Sequence, residues 1–152
     1  MVTPSSLQSL LRKHSVVYLD TSIFIYFVEQ HPRYHKLCGP IFEDIEAGKI
    51  KALTSTLTLL EILVQPYKLK KEDLVLKFYS LLVTYPHLSW IDMSLTVADR
   101  AAGLRAKYGL KTPDAIQMAS ALSHGAGAFI CNDRAFDKIE EIECLIIDDF
   151  IR

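Results

Sequence analysis

Short apolar runs of strand length alternate with helix-length amphipathic segments along almost the whole chain, and this alternation restricts the fold more than any other feature. The strand-like runs lie at residues 16–19, 50–54, 89–92, 128–131 and 144–147. Helical periodicity fills the gaps: residues 23–28, 35–47, a segment around Glu61, 72–83, a stretch from Ser94 to before Gly109, and one from Thr112 to Gly125. Ser55 or Thr56 can cap the Glu61 helix, and Ser94 and Thr112 the two later ones, with Pro113 in the first helical position. Gly48 closes the second helical segment, which Gly39-Pro40 is expected to disturb, and Pro66 is expected to end or kink the Glu61 helix. Strands joined by helix-length crossovers imply a parallel sheet with helices on both faces. Because such crossovers are right-handed, the C-terminal ends of all strands share one edge. The prediction is a three-layer α/β/α fold with a central parallel sheet of about four to five strands. With no repeat, low-complexity tract or linker, residues 1–152 are expected to form a single domain.

At 152 residues and 50% hydrophobic, the chain has material for one good core. A formal net charge of -1 excludes a generally basic nucleic-acid wrapper but not a local basic rim around an acidic pocket. Cys38, Cys131 and Cys144 are an odd set without a C-x-x-C pair, and the last two lie inside apolar runs. Buried free thiols in a reducing cytosol follow. The N-terminus lacks a signal peptide's charged start and apolar core, and no apolar run approaches the roughly 18 residues of a membrane span. A soluble cytoplasmic protein is expected.

Acidic residues sit where these segments meet. Asp20 ends Val16-Val17-Tyr18-Leu19, and Glu61 lies within Leu59-Leu60-Glu61-Ile62-Leu63. Asp114 follows Thr112-Pro113, and Asp133 ends Ala128-Phe129-Ile130-Cys131-Asn132. Each has an ordinary explanation: Asp20 as a helix cap, Asp114 as a first-turn acid favoured by the helix dipole, Asp133 as a turn residue. Glu61, flanked on both sides by Leu and Ile, has little obvious solvent face. Topology carries all four toward the C-terminal edge of the sheet, where open parallel sheets bind ligands. Carboxylates gathered there repel one another and resist desolvation, and no run of Lys or Arg adjoins them. A divalent cation is the missing charge, and an oxygen-only donor set suits Mg²⁺ or Mn²⁺.

In this order and topology the acids resemble the PIN-domain family, in particular the VapC-type ribonucleases of toxin–antitoxin systems. The resemblance rests on Leu19-Asp20-Thr21-Ser22, on Glu61 in its apolar helix, on Asp114-Ala115-Ile116-Gln117-Met118-Ala119, and on Cys131-Asn132-Asp133-Arg134-Ala135-Phe136. It implies a Mg²⁺- or Mn²⁺-dependent endoribonuclease acting on single-stranded RNA, with Asp20, Glu61, Asp114 and Asp133 as its acidic quartet. Thr21 or Ser22 and Asn132 correspond to polar neighbours that orient metal, water or phosphate. Arg134, beside Asp133, is the candidate phosphate contact. The resemblance further implies a cognate antitoxin and a homodimer formed through apolar faces of the early helices and the Phe78–Leu82 helix. Two other readings remain: an RNA maturation or decay nuclease without an antitoxin, and a non-catalytic binding module.

Weaker signals surround this set. The five histidines have no patterned partners and are taken as surface residues. Lys68, Lys70 and Lys71 form a basic cluster after Pro66, either a solvated loop or a phosphate grip near the Glu61 helix. Phe24 and Phe27 suit a core, whereas Tyr26 or Tyr34 is suited to stacking on a base or an antitoxin side chain.

Overall fold

A computed structural model describes residues 4–151 of the chain. Five strands, β1 (Val16–Leu19), β2 (Lys51–Ser55), β3 (Leu88–Ile91), β4 (Ala128–Cys131) and β5 (Glu143–Ile146), form one sheet in the order β3-β2-β1-β4-β5. All pairings are parallel, with Tyr18 of β1 opposite Leu53 of β2 on one side and Phe129 of β4 on the other. Among the described residues, seven α-helices accompany them: α1 (Pro4–Leu11), α2 (Thr21–Val28), α3 (His35–Glu46), α4 (Thr56–Lys68), α5 (Glu72–Leu82), α6 (Leu95–Tyr108) and α7 (Thr112–Ser123). The expected α/β layering with a parallel sheet is therefore what the chain adopts.

Strand alternation divides the core in two. Val17, Leu19, Ala128 and Ile130 pack among residues of α1 to α5, including Leu7, Phe24, Ile41 and Phe78. Tyr18, Phe129 and Cys131 point the other way, into a cluster with Val97 and Leu104 of α6 and Ala115, Met118 and Ala119 of α7. Tyr18 and Phe129 stack with centroids 5.1 Å apart. From β1 the chain builds outward to β2 and β3, then crosses back to β4 and β5 on the opposite flank. The β1–β4 junction is thus the point where the winding reverses, the place where a crevice opens at the strand ends.

Several local expectations need correction. Pro40 and Pro66 interrupt neither α3 nor α4. Each forfeits one i→i−4 bond, and Pro66 lies in the last turn, where few such bonds remain and its ring is buried. Thr112 does not cap α7: Lys111 holds the capping position without a side-chain bond, and Thr112 and Pro113 are the first helical residues. Ser55 and Ser94 do cap, accepting from Leu57 N at 3.0 Å and Val97 N at 3.1 Å. Gly109 closes α6 at φ 68, a left-handed position that glycine adopts without Cβ strain. Helix α1 was not anticipated, although its Leu7 and Leu11 are fully buried.

The free thiols of Cys38 and Cys131 are buried as expected, but Cys144 is only half-buried. Burial pushes Cys38 and Cys144 up to about 12, so both stay protonated at neutral pH. Phe78 and Leu82 themselves face inward, but the same helix keeps Tyr79 and Leu81 exposed. Exposed apolar side chains on these two helices include Leu60, Val64 and Tyr67 of α4 with Leu76, Tyr79 and Leu81 of α5. No helix among the described residues is long and apolar enough to cross a membrane.

Candidate active site

Asp20 stands between the last residue of β1 and the first turn of α2, with its own N–H donating to Ile130 O of β4 at 2.9 Å. The backbone is therefore pinned at the reversal point of the sheet. It occupies the capping position of α2, yet its side chain makes no capping bond there. Crowding by protein, followed by the charges of Glu61, Asp114 and Asp133, pushes the Asp20 carboxyl up to about 7, opposed by the Thr21 amide. All three other acids thus act on Asp20 through space. Asp114, half-buried in the first turn of α7, is also raised, first by burial and then by Asp133 and Glu61, with Lys111 opposing.

Glu61 departs from expectation. It is exposed, and so are its neighbours Leu60 and Val64, so its apolar flanks do not enclose it. What directs it is polar contact: Glu61 Oε1 accepts from Thr21 Oγ1 at 2.8 Å and from Gln117 Nε2 at 2.9 Å. Asp133 is exposed, and its Oδ1 accepts from Ala135 N at 2.8 Å, capping the 3-10 turn Arg134–Phe136. The turn explanation for Asp133 therefore holds alongside its electrostatic repulsion of Asp20 and Asp114.

The neighbouring residues divide. Thr21 reaches Glu61, whereas Ser22 Oγ is buried without a hydrogen-bond partner. Asn132 is committed to bracing: its Nδ2 donates to Tyr26 OH at 3.2 Å and its Oδ1 accepts from Asp148 N at 3.0 Å. Arg134 pairs with both carboxylate oxygens of Asp149 and with Asp137 at 3.4 Å, so its guanidinium is already occupied. Tyr26 and Tyr34 pack against each other at 4.7 Å and against His31, and Tyr34 OH donates to Asp148 at 2.7 Å. His14, His31 and His35 are half-buried rather than surface residues; His31 Nδ1 accepts from the amides of Arg33 and Tyr34. Of the basic cluster, Lys71 lines a cleft of about 220 Å³ that also borders Glu61, Ile62 and Phe78.

Sequence reasoning passed over Gln117. It is 1% exposed in an otherwise apolar helix, one turn after Asp114, and that polar intrusion was the available signal. Among the described residues, no three His, Cys, Asp or Glu side chains stand close enough together to form a ready-made metal site. The donor chemistry nevertheless fits a hard cation: four carboxylates, of which the most enclosed is disfavoured as an anion first by burial and then by the charges of the other three.

A family model described as "PIN domain" matches residues 17–142. Among solved structures, a toxin–antitoxin complex from Klebsiella pneumoniae is similar at 26% identity and a TM-score of 0.64, over 83% of this chain and 94% of that one. VapBC2 from Rickettsia felis, bound to a DNA fragment from its promoter, gives 19% identity and a TM-score of 0.67 over 86% and 98%. DNA-bound VapBC from Salmonella typhimurium gives 19% and 0.68 over 86% and 96%. No curated protein matches the chain.

Proposed function

Since the chain belongs to the PIN-domain family, we propose that it is a metal-dependent endoribonuclease cleaving single-stranded RNA, the toxin of a toxin–antitoxin pair. The observation that carries this reading is Asp20: a crowded carboxylate at the reversal point of a parallel sheet, with three further carboxylates as its charged neighbours. Asp20, Glu61, Asp114 and Asp133 would hold the cation. A bound Mg²⁺ or Mn²⁺ supplies the positive charge that polarises a phosphodiester and acidifies a water. The residues do the rest. Asp20, whose carboxyl is pushed up to about 7 without metal, would hold the cation as its carboxylate. Thr21 and Gln117 hold one oxygen of Glu61, which leaves its second oxygen for the cation. Lys71, on the cleft beside Glu61, is placed to meet RNA phosphates, and Arg134 joins it if phosphate displaces Asp149. With water as nucleophile rather than the ribose 2′-hydroxyl, products carry 5′-phosphate and 3′-hydroxyl ends.

The likeness to a toxin–antitoxin complex supports an antitoxin partner. The outward apolar residues of α4 and α5 support burial against that partner or in a homodimer. Incubation with an RNA panel in Mg²⁺, Mn²⁺ or EDTA, with end-group analysis, tests the chemistry. Cleavage that survives EDTA, or 2′,3′-cyclic phosphate ends, refutes it. Purification from the native host without any small partner favours the maturation or decay nuclease, and absence of cleavage under every condition favours the binding module.

A further inference from the structure

Beneath the carboxylates lies a buried polar chain that packing alone does not require. Gln117 is fully enclosed on α7, yet its amide touches four other side chains. Nε2 donates to Glu61 Oε1 at 2.9 Å, with Thr58 Oγ1 at 3.1 Å and Thr21 Oγ1 at 3.2 Å beside it. Its Oε1 accepts from the hydroxyl of Tyr18 and lies 3.2 Å from Thr58 Oγ1. Thr58 is tied in turn to Thr54, whose hydroxyl lies 2.9 Å from Leu19 O in the strand that leads into Asp20. The amide orientation follows from charge: reversed, its carbonyl oxygen would face the Glu61 carboxylate, two acceptors at hydrogen-bond distance.

A buried glutamine needs partners for both ends of its amide. Here one end is held by a phenol that is itself completely buried in the sheet, and the other is spent on an exposed carboxylate. Glu61 is exposed, and this amide joins the Thr21 hydroxyl, at 2.8 Å, in holding one of its oxygens.

We propose that Gln117 is a positioning residue for the cation site: anchored by Tyr18, it fixes one oxygen of Glu61 so that the other is held ready for a divalent metal. The inference rests on the metal-site reading above and adds to it a specific relay from β1 through α7 to α4. Outer partners that orient a ligand typically change metal affinity roughly 10–100-fold when removed.

The test measures Mn²⁺ binding by calorimetry without RNA, together with melting in EDTA. Gln117→Met keeps the volume but takes the amide oxygen from the Tyr18 hydroxyl and leaves it only Thr54, Ser55 and Thr58, so it is expected to lower the Tm and weaken Mn²⁺ binding by about tenfold. Adding Tyr18→Phe removes the hydroxyl that lost this partner, so the double variant should regain part of the Tm while its Mn²⁺ affinity stays low. A purely structural glutamine would recover both together. Glu61→Gln should weaken binding, and Glu61→Gln with Gln117→Met should be no weaker than Glu61→Gln alone, since Gln117 acts through Glu61. Affinity within twofold of wild type in the stable double variant, or losses that add in the Glu61 pair, would overturn the inference. Tyr18→Phe alone, which changes one atom, covers the case in which the Gln117 variants do not fold: a smaller weakening is expected, and unchanged affinity overturns the relay. If the wild type binds no Mn²⁺, the metal site itself falls and the inference with it; binding by the wild type with equal binding by Gln117→Met refutes the inference alone.

Discussion

Asp44 and Asp20 are both enclosed acids in the same small sheet protein, and the chain treats them in opposite ways. Asp44, 4% exposed in α3, meets Arg12 in a two-point pair, Nε to Oδ2 at 3.0 Å and Nη2 to Oδ1 at 3.1 Å, with Lys49 at 3.9 Å. Arg12 precedes β1, so this pair closes the N-terminal end of the sheet, and the contact with Asp44 holds its guanidinium above the usual range. At the other end of β1, Asp20 has carboxylates for neighbours. A buried charge is stable when a geometrically matched partner comes with it. The fold supplies that partner where the acid ties helices together. It withholds one where the strand ends form a crevice, and a site left short of positive charge is a site for a cation.

The sharpest way to break this contrast is to neutralise Asp20. Asp20→Asn should keep the fold and reduce RNA cleavage by more than about a hundredfold, since a direct ligand matters more than the outer partners that orient it. Cleavage of a responsive RNA, followed on denaturing gels in Mg²⁺ and Mn²⁺, checks it. Near wild-type turnover would remove Asp20 from the chemistry and leave the two acids differing only in their neighbours.

The reverse experiment addresses Asp44. Arg12→Gln leaves a buried carboxylate with only a distant Lys49, and the Tm should fall by several degrees while Mn²⁺ binding at the far end of the sheet is unchanged. An unchanged Tm would mean that the Arg12 pair stabilises no more than a surface ion pair does.

How far the sequence discloses such differences depends on the range of the forces involved. β1 and β4 were legible to the residue because Val-Val-Tyr-Leu and Ala-Phe-Ile-Cys are central, buried strands with no polar residue to blur their ends. β3 and β5, at the two edges of the sheet, each begin one residue before the expected run; in β5 that residue is the polar Glu143, which pairing with one neighbour tolerates. Helix α1 escaped notice because its apolar stretch is short and its stability comes from packing Leu7 and Leu11 into a core that local sequence does not reveal. That Asp20 and Asp114 feel the other acids was readable in part, since crossover handedness brings the strand ends to one edge. The partners of Asn132 and Arg134 were not: Tyr26 lies 106 positions from Asn132, and Asp149 is 15 beyond Arg134. Glu61 was misjudged for a related reason. Its leucine neighbours suggested burial, yet α4 turns Leu60 outward, and what holds Glu61 is a hydroxyl and an amide from two other helices.

Acidity offers a finer probe of the same contrast. Asp20 has its folded-state pKa raised from 3.8 to about 7, so the folded protein binds this proton more tightly than the unfolded chain. Its contribution to stability is fully present below the unfolded value and is lost as pH rises through about 7. Melts of metal-free protein between pH 5 and pH 8 should therefore show a Tm declining by a few degrees, with a shallower decline in Asp20→Asn. Parallel curves for the two proteins would place the titration elsewhere. Saturating Mn²⁺ should also flatten the wild-type curve, because the cation takes the proton's place.

The smallest expected effect asks whether Asp114 shares the site or merely faces it. Burial, Asp133 and Glu61 together disfavour its charge, and Lys111 offsets only part of this. Removing the charge with Asp114→Asn should therefore leave the metal-free Tm unchanged or slightly higher, the opposite sign from Arg12→Gln. Mn²⁺ binds only the assembled site, so it raises the wild-type Tm by an amount set by its concentration relative to the dissociation constant. A tenfold weaker site gives up about 1.4 kcal/mol of that linkage at saturation, worth a few degrees in a domain of this size. Titrating Mn²⁺ into both proteins from an EDTA baseline separates the two effects, since the baseline reports repulsion and the increment reports ligation. A raised baseline with an undiminished increment would mean that Asp114 only repels its neighbours. A lowered baseline would mean that its first-turn place at the α7 dipole outweighs that repulsion, making Asp114 an ordinary helix acid after all.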